Sequence, residues 1–166
     1  MSKGRILVVD DEKNITKSIS NILIREGYET VLTYNFENGR RAALDEDIDL
    51  VLLDVLLPDG DGLELLKELS ERKKDCTVVM MSGHGTIETA VEATKLGAYD
   101  FLEKPISLDK LLITVENVLH VRNLRSENEK LKMEMESSRD NFIGVSKAMR
   151  DLFRKIETVA PTMVRC

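Results

Sequence analysis

The 166-residue chain has only two cysteines, Cys76 and Cys166, and two histidines, His84 and His120. Two cysteines imply no disulfide framework, and a reducing cytoplasm fits that usage. There is no Cys/His cluster to hold zinc. Long apolar runs are also missing. The run within MSKGRILVVDDE is too short for a signal peptide, and no later stretch approaches the ~20 residues of a spanning helix. Basic residues are in the minority, 24 Lys and Arg against 30 Asp and Glu, for a net charge of −6. That balance argues against direct nucleic acid binding, which needs a basic surface. No G-x-x-x-x-G-K-[ST] occurs, so no P-loop ATPase can be claimed for this chain.

What is present is enough for a core: 42% of residues are apolar and 33% charged, outside the disordered range. Short apolar runs alternate with helical patterns. Ile6–Val9 reads as a strand, and Ile15, Ile19, Ile22 and Leu23 mark a helix face that Gly27 closes. Strands follow at Tyr28–Thr33, Leu50–Leu53, Thr77–Met81 and Tyr99–Leu102. Helices follow at Phe36–Leu44, around Leu63, Leu66 and Leu69, and from Ile87 through Val91 to Leu96, where Gly97 ends the pattern. Ser107 is placed to cap a last helix from Leu108. This is (βα)5: an α/β fold with a five-stranded parallel sheet and helices on both faces. The strands are apolar throughout rather than alternating, as expected of a sheet covered on both sides.

In such sheets ligands bind at the carboxyl ends of the strands. Asp10 and Asp11 follow the first strand, Asp54 the third, Ser82 the fourth, and Lys104 comes just after the fifth. Singly, each has a plain structural explanation: a helix cap for Asp10-Asp11, a turn former for Asp54, a turn at Ser82-Gly83, a loop at Lys104-Pro105. Together, four segments deliver acids, a hydroxyl and an amine to one rim. Three close carboxylates repel unless protonated or shared with a cation, and hard oxygen ligands suit Mg2+. Asp54, central on the rim, is the best placed to attack phosphorus and form an aspartyl phosphate.

The motifs VVDDE, LLDVLLPDGDG, MSGHG and GAYDFLEKP resemble the receiver domain of two-component response regulators, a flavodoxin-like fold, over residues 4–122. The resemblance implies that Asp54 accepts a phosphoryl group from a histidine kinase. It implies an Mg2+ site of Asp10, Asp11, Asp54 and the backbone carbonyl of Leu56. Ser82 becomes the switch hydroxyl and Lys104 the conserved-type lysine, with a cis bond expected before Pro105. Phe101 takes the switch-aromatic place, where many receivers carry Tyr; without the hydroxyl the ring keeps only its rotation. An Mg2+-dependent aspartyl phosphatase is the rival reading, but such enzymes usually carry a second Asp two residues after the nucleophile, and Leu56 stands there. A stand-alone phosphorelay receiver is the other alternative.

No Gly or Pro interrupts Leu108 to Glu136. Leu108, Leu111, Leu112, Val115, Val118 and Leu119 form a broad stripe to pack on the sheet. Beyond it Val121, Leu124, Asn128, Leu131 and Met135 follow a 3-4 spacing, with Val and Leu at a and d and one Asn at a. That pattern favours a parallel two-stranded coiled coil, hence a homodimer; a solvated single-helix spacer is the alternative. Ser137-Ser138 is expected to interrupt the pattern. The stretch NFIGVSKAMRDLFRKIETVAPT, with a helix expected over 146–159 and Met149, Leu152, Phe153 and Ile156 on one face, resembles the opening of the AAA+ domain of NtrC-type, sigma-54-dependent activators. The expected organisation is therefore a receiver over 1–122, a helical coiled-coil linker over 123–138, and the start of an AAA+ domain over 139–166, with a loosely held end. In a longer protein of that kind, sigma-54 RNA polymerase and DNA are the further partners; no membrane is expected.

Overall fold

The computed structural model describes residues 2–73 and 75–159, with side chains as far as 139. The chain divides into two compact units, Met1–Val121 and Arg122–Cys166. In order, the elements are β1 (Arg5–Val9), α1 (Lys13–Arg25), β2 (Glu29–Thr33), α2 (Phe36–Asp45), β3 (Leu50–Asp54), β4 (Leu56–Leu57), β5 (Gly60–Asp61), α3 (Gly62–Arg72), β6 (Thr77–Ser82), α4 (Ile87–Lys95), β7 (Asp100–Glu103) and α5 (Leu108–Val159).

Five strands form one parallel sheet in the order β2-β1-β3-β6-β7, so the order reverses between β1 and β3. The five expected strands are all there. The fifth is shifted by one residue and runs through Glu103, and the third continues through Asp54 itself. The stretch after Asp54, read as a loop, holds the two-residue antiparallel pair β4 and β5, with Pro58-Asp59 at its turn.

Alternation along each strand sorts the core into two layers, because successive side chains point to opposite faces. Leu7, Val9, Val51, Leu53, Val78 and Met80 face Leu65, Leu66 and Leu69 of α3, Ala42 and Ala43 of α2, and Ala93 of α4. Ile6, Val8, Leu50, Leu52, Val79, Met81 and Leu102 face Ile19 and Leu23 of α1 and Leu111, Val115, Val118 and Leu119 of α5. Full burial of one such Leu or Ile contributes roughly 1.5–3 kcal/mol. Leu108, expected in the α5 stripe, is half exposed in the first turn of the helix.

Caps fix where the helices start. Asn35 accepts the N–H of Asn38, Asp61 that of Leu63, Thr86 that of Thr89 and Ser107 that of Lys110. Gly27 (φ +96°) and Gly97 (φ +106°) occupy the left-handed conformation after α1 and α4, as their positions in the pattern predict.

Backbone helix continues through Ser137-Ser138 to Val159, so the break in the apolar pattern there does not interrupt the backbone, and the helix expected from 146 is continuous with the linker helix. Serine costs a helix only a few tenths of a kcal/mol relative to the best formers, too little to end one without Gly or Pro beside it. In the second unit Leu124, Leu131 and Met135 are exposed along the helix, as is Asn128; Val121, the last residue of the first unit, is also exposed. The expected apolar face of Met149, Leu152, Phe153 and Ile156, and the expected loose end after Val159, lie outside the described residues. No helix among the described residues is long and apolar enough to cross a membrane.

Candidate functional site: an acidic cleft at the switch point

Asp10, Asp11 and Asp54 come together at the carboxyl ends of β1 and β3, beside the reversal in strand order. One carboxylate oxygen from each lies within 4.8 Å of the others. Backbone bonds set this arrangement. The N–H of Val55 donates to the Met81 carbonyl at 3.0 Å, and that of Lys104 to the Ser82 carbonyl at 2.8 Å. Thr16, fully buried on α1, donates its hydroxyl to the carbonyls of Asp10 and Glu12 and ties the β1–α1 turn to the helix. Where α3 begins, a β-carbon at Gly62 would collide with the Asp54 backbone carbonyl, so only glycine lets the chain pass there.

The Lys104 ammonium reaches into the acids. Its Nζ lies 2.6 Å from Asp10 Oδ2 and 3.1 Å from Asp54 Oδ2, and 3.4 Å from Glu12 Oε1. Burial pushes the Asp54 carboxyl up to about 6; the neighbouring Asp10 adds to the rise, and the Lys104 hydrogen bond works against it. Desolvation alone would lower the Lys104 ammonium, but hydrogen bonds to Asp10 and Asp54 outweigh it and hold that group above its ordinary value. Asp10 Oδ1 accepts the N–H of Glu12, while the buried Oδ2 has the Lys104 ammonium, 2.6 Å away, as its partner. Three clustered carboxylates with a single ammonium among them leave excess negative charge, so a further cation there lowers the energy.

Ser82 ends β6 as a buried residue, and its Oγ accepts the N–H of His84 at 3.2 Å. Phe101, on β7, is half-buried against the α2/α3/α4 layer, and its ring lies over Gly85 in the loop after Ser82. The Lys104-Pro105 bond is cis, as the resemblance implied. The Leu56 side chain is exposed, and its N–H approaches Asp54 Oδ1 at 3.4 Å.

Two residues of the site were not singled out from the sequence. Glu12 is the N-cap residue of α1 but makes no cap bond with its side chain, which turns to Lys104 instead. Its signal was available as the third acid of VVDDE. Thr16 gave none, since a threonine in a helix reads as neutral. Beside Lys104, an apolar groove of about 360 Å3 runs between α1 and α5, lined by Ile15, Ile19, Ile22, Ile106 and Leu111 among others.

An open parallel sheet with three carboxylates and a lysine at its switch point has the groups that phosphoryl transfer uses. Residues 6–116 match the response regulator receiver domain, and the chain belongs to that family. It is 37% identical over 162 residues to the nitrogen assimilation regulatory protein NtrX of Azorhizobium caulinodans, covering 96% of this chain and 35% of that protein. The regulatory protein AtoC of Escherichia coli is 32% identical, over 95% of this chain and 34% of its own length. The chain thus spans about a third of the curated relatives it matches. Among solved structures, NtrX from Brucella abortus in complex with ADP superposes with a TM-score of 0.72 at 42% identity, covering 79% of this chain and 30% of that one. The beryllofluoride-activated NtrC4 receiver domain dimer does so at 0.68 and 39%, covering 71% and 98%.

Proposed function

We propose that this chain is the phosphorylation-controlled receiver and linker region of an NtrC/NtrX-type transcriptional activator, with Asp54 as the phosphoryl acceptor. The observation that carries the reading is the convergence of Asp10, Asp11, Asp54 and Lys104 at the switch point of the sheet. The apolar groove beside Lys104 offers a histidine kinase a surface next to the reacting carboxylate.

The donor set is all oxygen, and its three carboxylates have a single ammonium among them, so the residues fit Mg2+, held by Asp10, Asp11, Asp54 and the Leu56 carbonyl. Bound there, the ion would supply positive charge to phosphoryl oxygens. The chain's own residues do the rest. An Asp54 oxygen attacks phosphorus, an acyl phosphate bond forms, and the bond to the kinase histidine breaks, leaving the electron pair on that imidazole. Lys104 exchanges its carboxylate partner for a phosphoryl oxygen, and the Ser82 hydroxyl donates to another. Hydrolysis of the same bond, with water as acceptor, returns the carboxylate; this self-limited turnover is the only catalysis assigned to the chain.

Movement of Ser82 and the Gly83–Thr86 loop towards the phosphoryl group frees space for the Phe101 ring, changing the surface made by α4, β7 and α5. This is a local charge event read by a two-state packing. Domain by domain, residues 1–122 receive the signal, 123–138 pair as a dimer linker, and 139–166 open an AAA+ domain. In the longer protein, the unphosphorylated linker dimer restrains AAA+ ring assembly and phosphorylation releases it, ahead of sigma-54 RNA polymerase and DNA.

The test is labelling with a small-molecule phosphodonor and Mg2+ on the parent and on Asp54→Ala, followed by mass measurement. One adduct on the parent and none on the variant is expected. An adduct that survives Asp54→Ala overturns the assignment. Ring restraint is tested on the full-length protein by its mass with and without beryllofluoride; a hexamer before activation overturns it.

A further inference from the structure

With Val121, Leu124, Asn128, Leu131 and Met135 at a and d, the flanking positions sort by sign. The e positions are Arg125, Lys132 and Arg139, and the g positions between them are Glu127 and Glu134. One flank is wholly basic and the other wholly acidic. All five charged residues are exposed, and among the described residues Glu127, Lys132 and Glu134 take part in no ion pair within the chain. The charge is therefore arranged without an intramolecular partner, alongside an apolar stripe that is itself exposed.

We propose that these charges select the occupant of the stripe: a second copy of this chain, parallel and in register. The proposal rests on the reading of this segment as a parallel dimer linker and adds which charged residues enforce that partner and orientation. In a parallel in-register pair, each g residue meets the e residue five positions on in the other helix. Glu127 then meets Lys132 of the second copy and Glu134 meets Arg139, and symmetry repeats both. Antiparallel pairing sets e against e and g against g, so Lys and Arg meet Lys and Arg while Glu meets Glu. A register slip of one heptad sets Glu134 of one helix opposite position 146, a serine, and leaves three glutamate–base pairs where the in-register dimer has four. Asn128 at a reinforces the same choice, since its amide is satisfied by its own counterpart only in register. The acidic flank and the interleaved glutamates disfavour an anionic surface, such as lipid or nucleic acid, as the occupant. Selection by repulsion against wrong pairings is how a short coil gains specificity beyond its stability.

The experiment is a charge swap in the whole 166-residue chain, read as oligomer mass by sedimentation equilibrium. Glu127→Lys with Glu134→Lys makes both flanks basic; Lys132→Glu with Arg139→Glu makes acidic the two e positions that meet those glutamates, leaving only Arg125 basic. Each doubly substituted chain should dimerise more weakly than the parent by about tenfold or more in Kd, which is ~1.4 kcal/mol. Their equimolar mixture should recover parental affinity as a heterodimer, and so should the chain carrying all four changes. Leu124→Cys, in a chain with Cys76→Ser and Cys166→Ser, should form the 124–124 disulfide that only a parallel pair permits. If the parent is monomeric, the dimer-linker reading and this proposal both fail. If the parent is dimeric but the swaps change nothing, or no mixture recovers, the charge selection alone fails. Circular dichroism of each variant distinguishes lost pairing from lost folding.

Discussion

The Phe101 ring rests on Gly85: a β-carbon added at Gly85 would lie 2.7 Å from the ring's Cε1 and Cζ atoms. The two positions share one volume, so the size of one sets where the other sits. Gly85→Ala should push the ring out of its half-buried seat and lower stability by roughly 1–3 kcal/mol, the usual cost of overpacking. In a Phe101→Ala background the same change should cost almost nothing, since the ring is gone. Urea denaturation of the four chains measures the coupling. Additive costs would mean that the ring does not depend on the glycine.

Asp11 should govern the metal response with little effect on the fold. Its side chain is exposed, unlike those of Asp10 and Asp54, yet its carboxylate belongs to the same cluster. In chelator-treated protein, Mg2+ at a hundredfold excess over its Kd should stabilise the parent by about 2.7 kcal/mol, by mass action alone. Asp11→Asn should keep the chelated stability and lose most of that gain. Thermal melts with and without Mg2+ check both halves. An undiminished Mg2+ shift in the variant would place the ion elsewhere.

Much of this site was legible in the chain because its residues follow directly after apolar strands. Val9 ends one such run and Asp10 follows, and Leu53 leads into Asp54, so the strand pattern itself locates the rim. The β4–β5 pair was invisible for the opposite reason: two residues each are too few to carry a period, and Pro58, Gly60 and Gly62 read as loop. Glu12 was visible as the third acid of VVDDE, but its pairing with Lys104, ninety-two residues away, is encoded by no local pattern. At Ser137-Ser138 the a/d pattern weakened while the backbone stayed helical, because side-chain periodicity and helix propensity are separate signals.

The α2–α3 surface should lose stability in acid through Glu68. Arg40 Nε and Nη2 donate to the two oxygens of Glu68 at 2.8 and 2.7 Å, and Arg72 Nη1 adds a third bond. The Arg40 hydrogen bond, more than any other influence, holds the Glu68 carboxyl below its ordinary value of 4.5. A depressed carboxyl contributes stability that is fully present above its unfolded value and disappears as pH falls through the folded one. The parent should therefore be more stable than Glu68→Gln at pH 7, with the gap closing below about pH 4.5. Salt should narrow the gap at pH 7, since all three side chains are partly exposed. Urea midpoints at pH 7, 5 and 3.5 test this; a gap that is flat with pH would rule out the ion pair as its source.

Thr16 should act on the metal site through the turn that carries it. The side chain is buried, and its Oγ1 donates to the Asp10 carbonyl at 3.2 Å and to the Glu12 carbonyl at 2.8 Å. Thr16→Val keeps the volume and removes the donor. The lost hydrogen bonding should cost about 1 kcal/mol. A merely structural role ends there. Because Asp10 and Asp11 sit on the tethered turn, the variant should also bind Mg2+ more weakly, by a few-fold, as expected when the groups orienting metal ligands are loosened. Thr16→Ser, which restores the hydroxyl, should recover the Mg2+ affinity even though it leaves a methyl-sized void and part of the stability loss. Mg2+ titration of the melting temperature for the three chains separates the two effects. Equal affinity in Thr16→Val and the parent would leave Thr16 as a packing residue only.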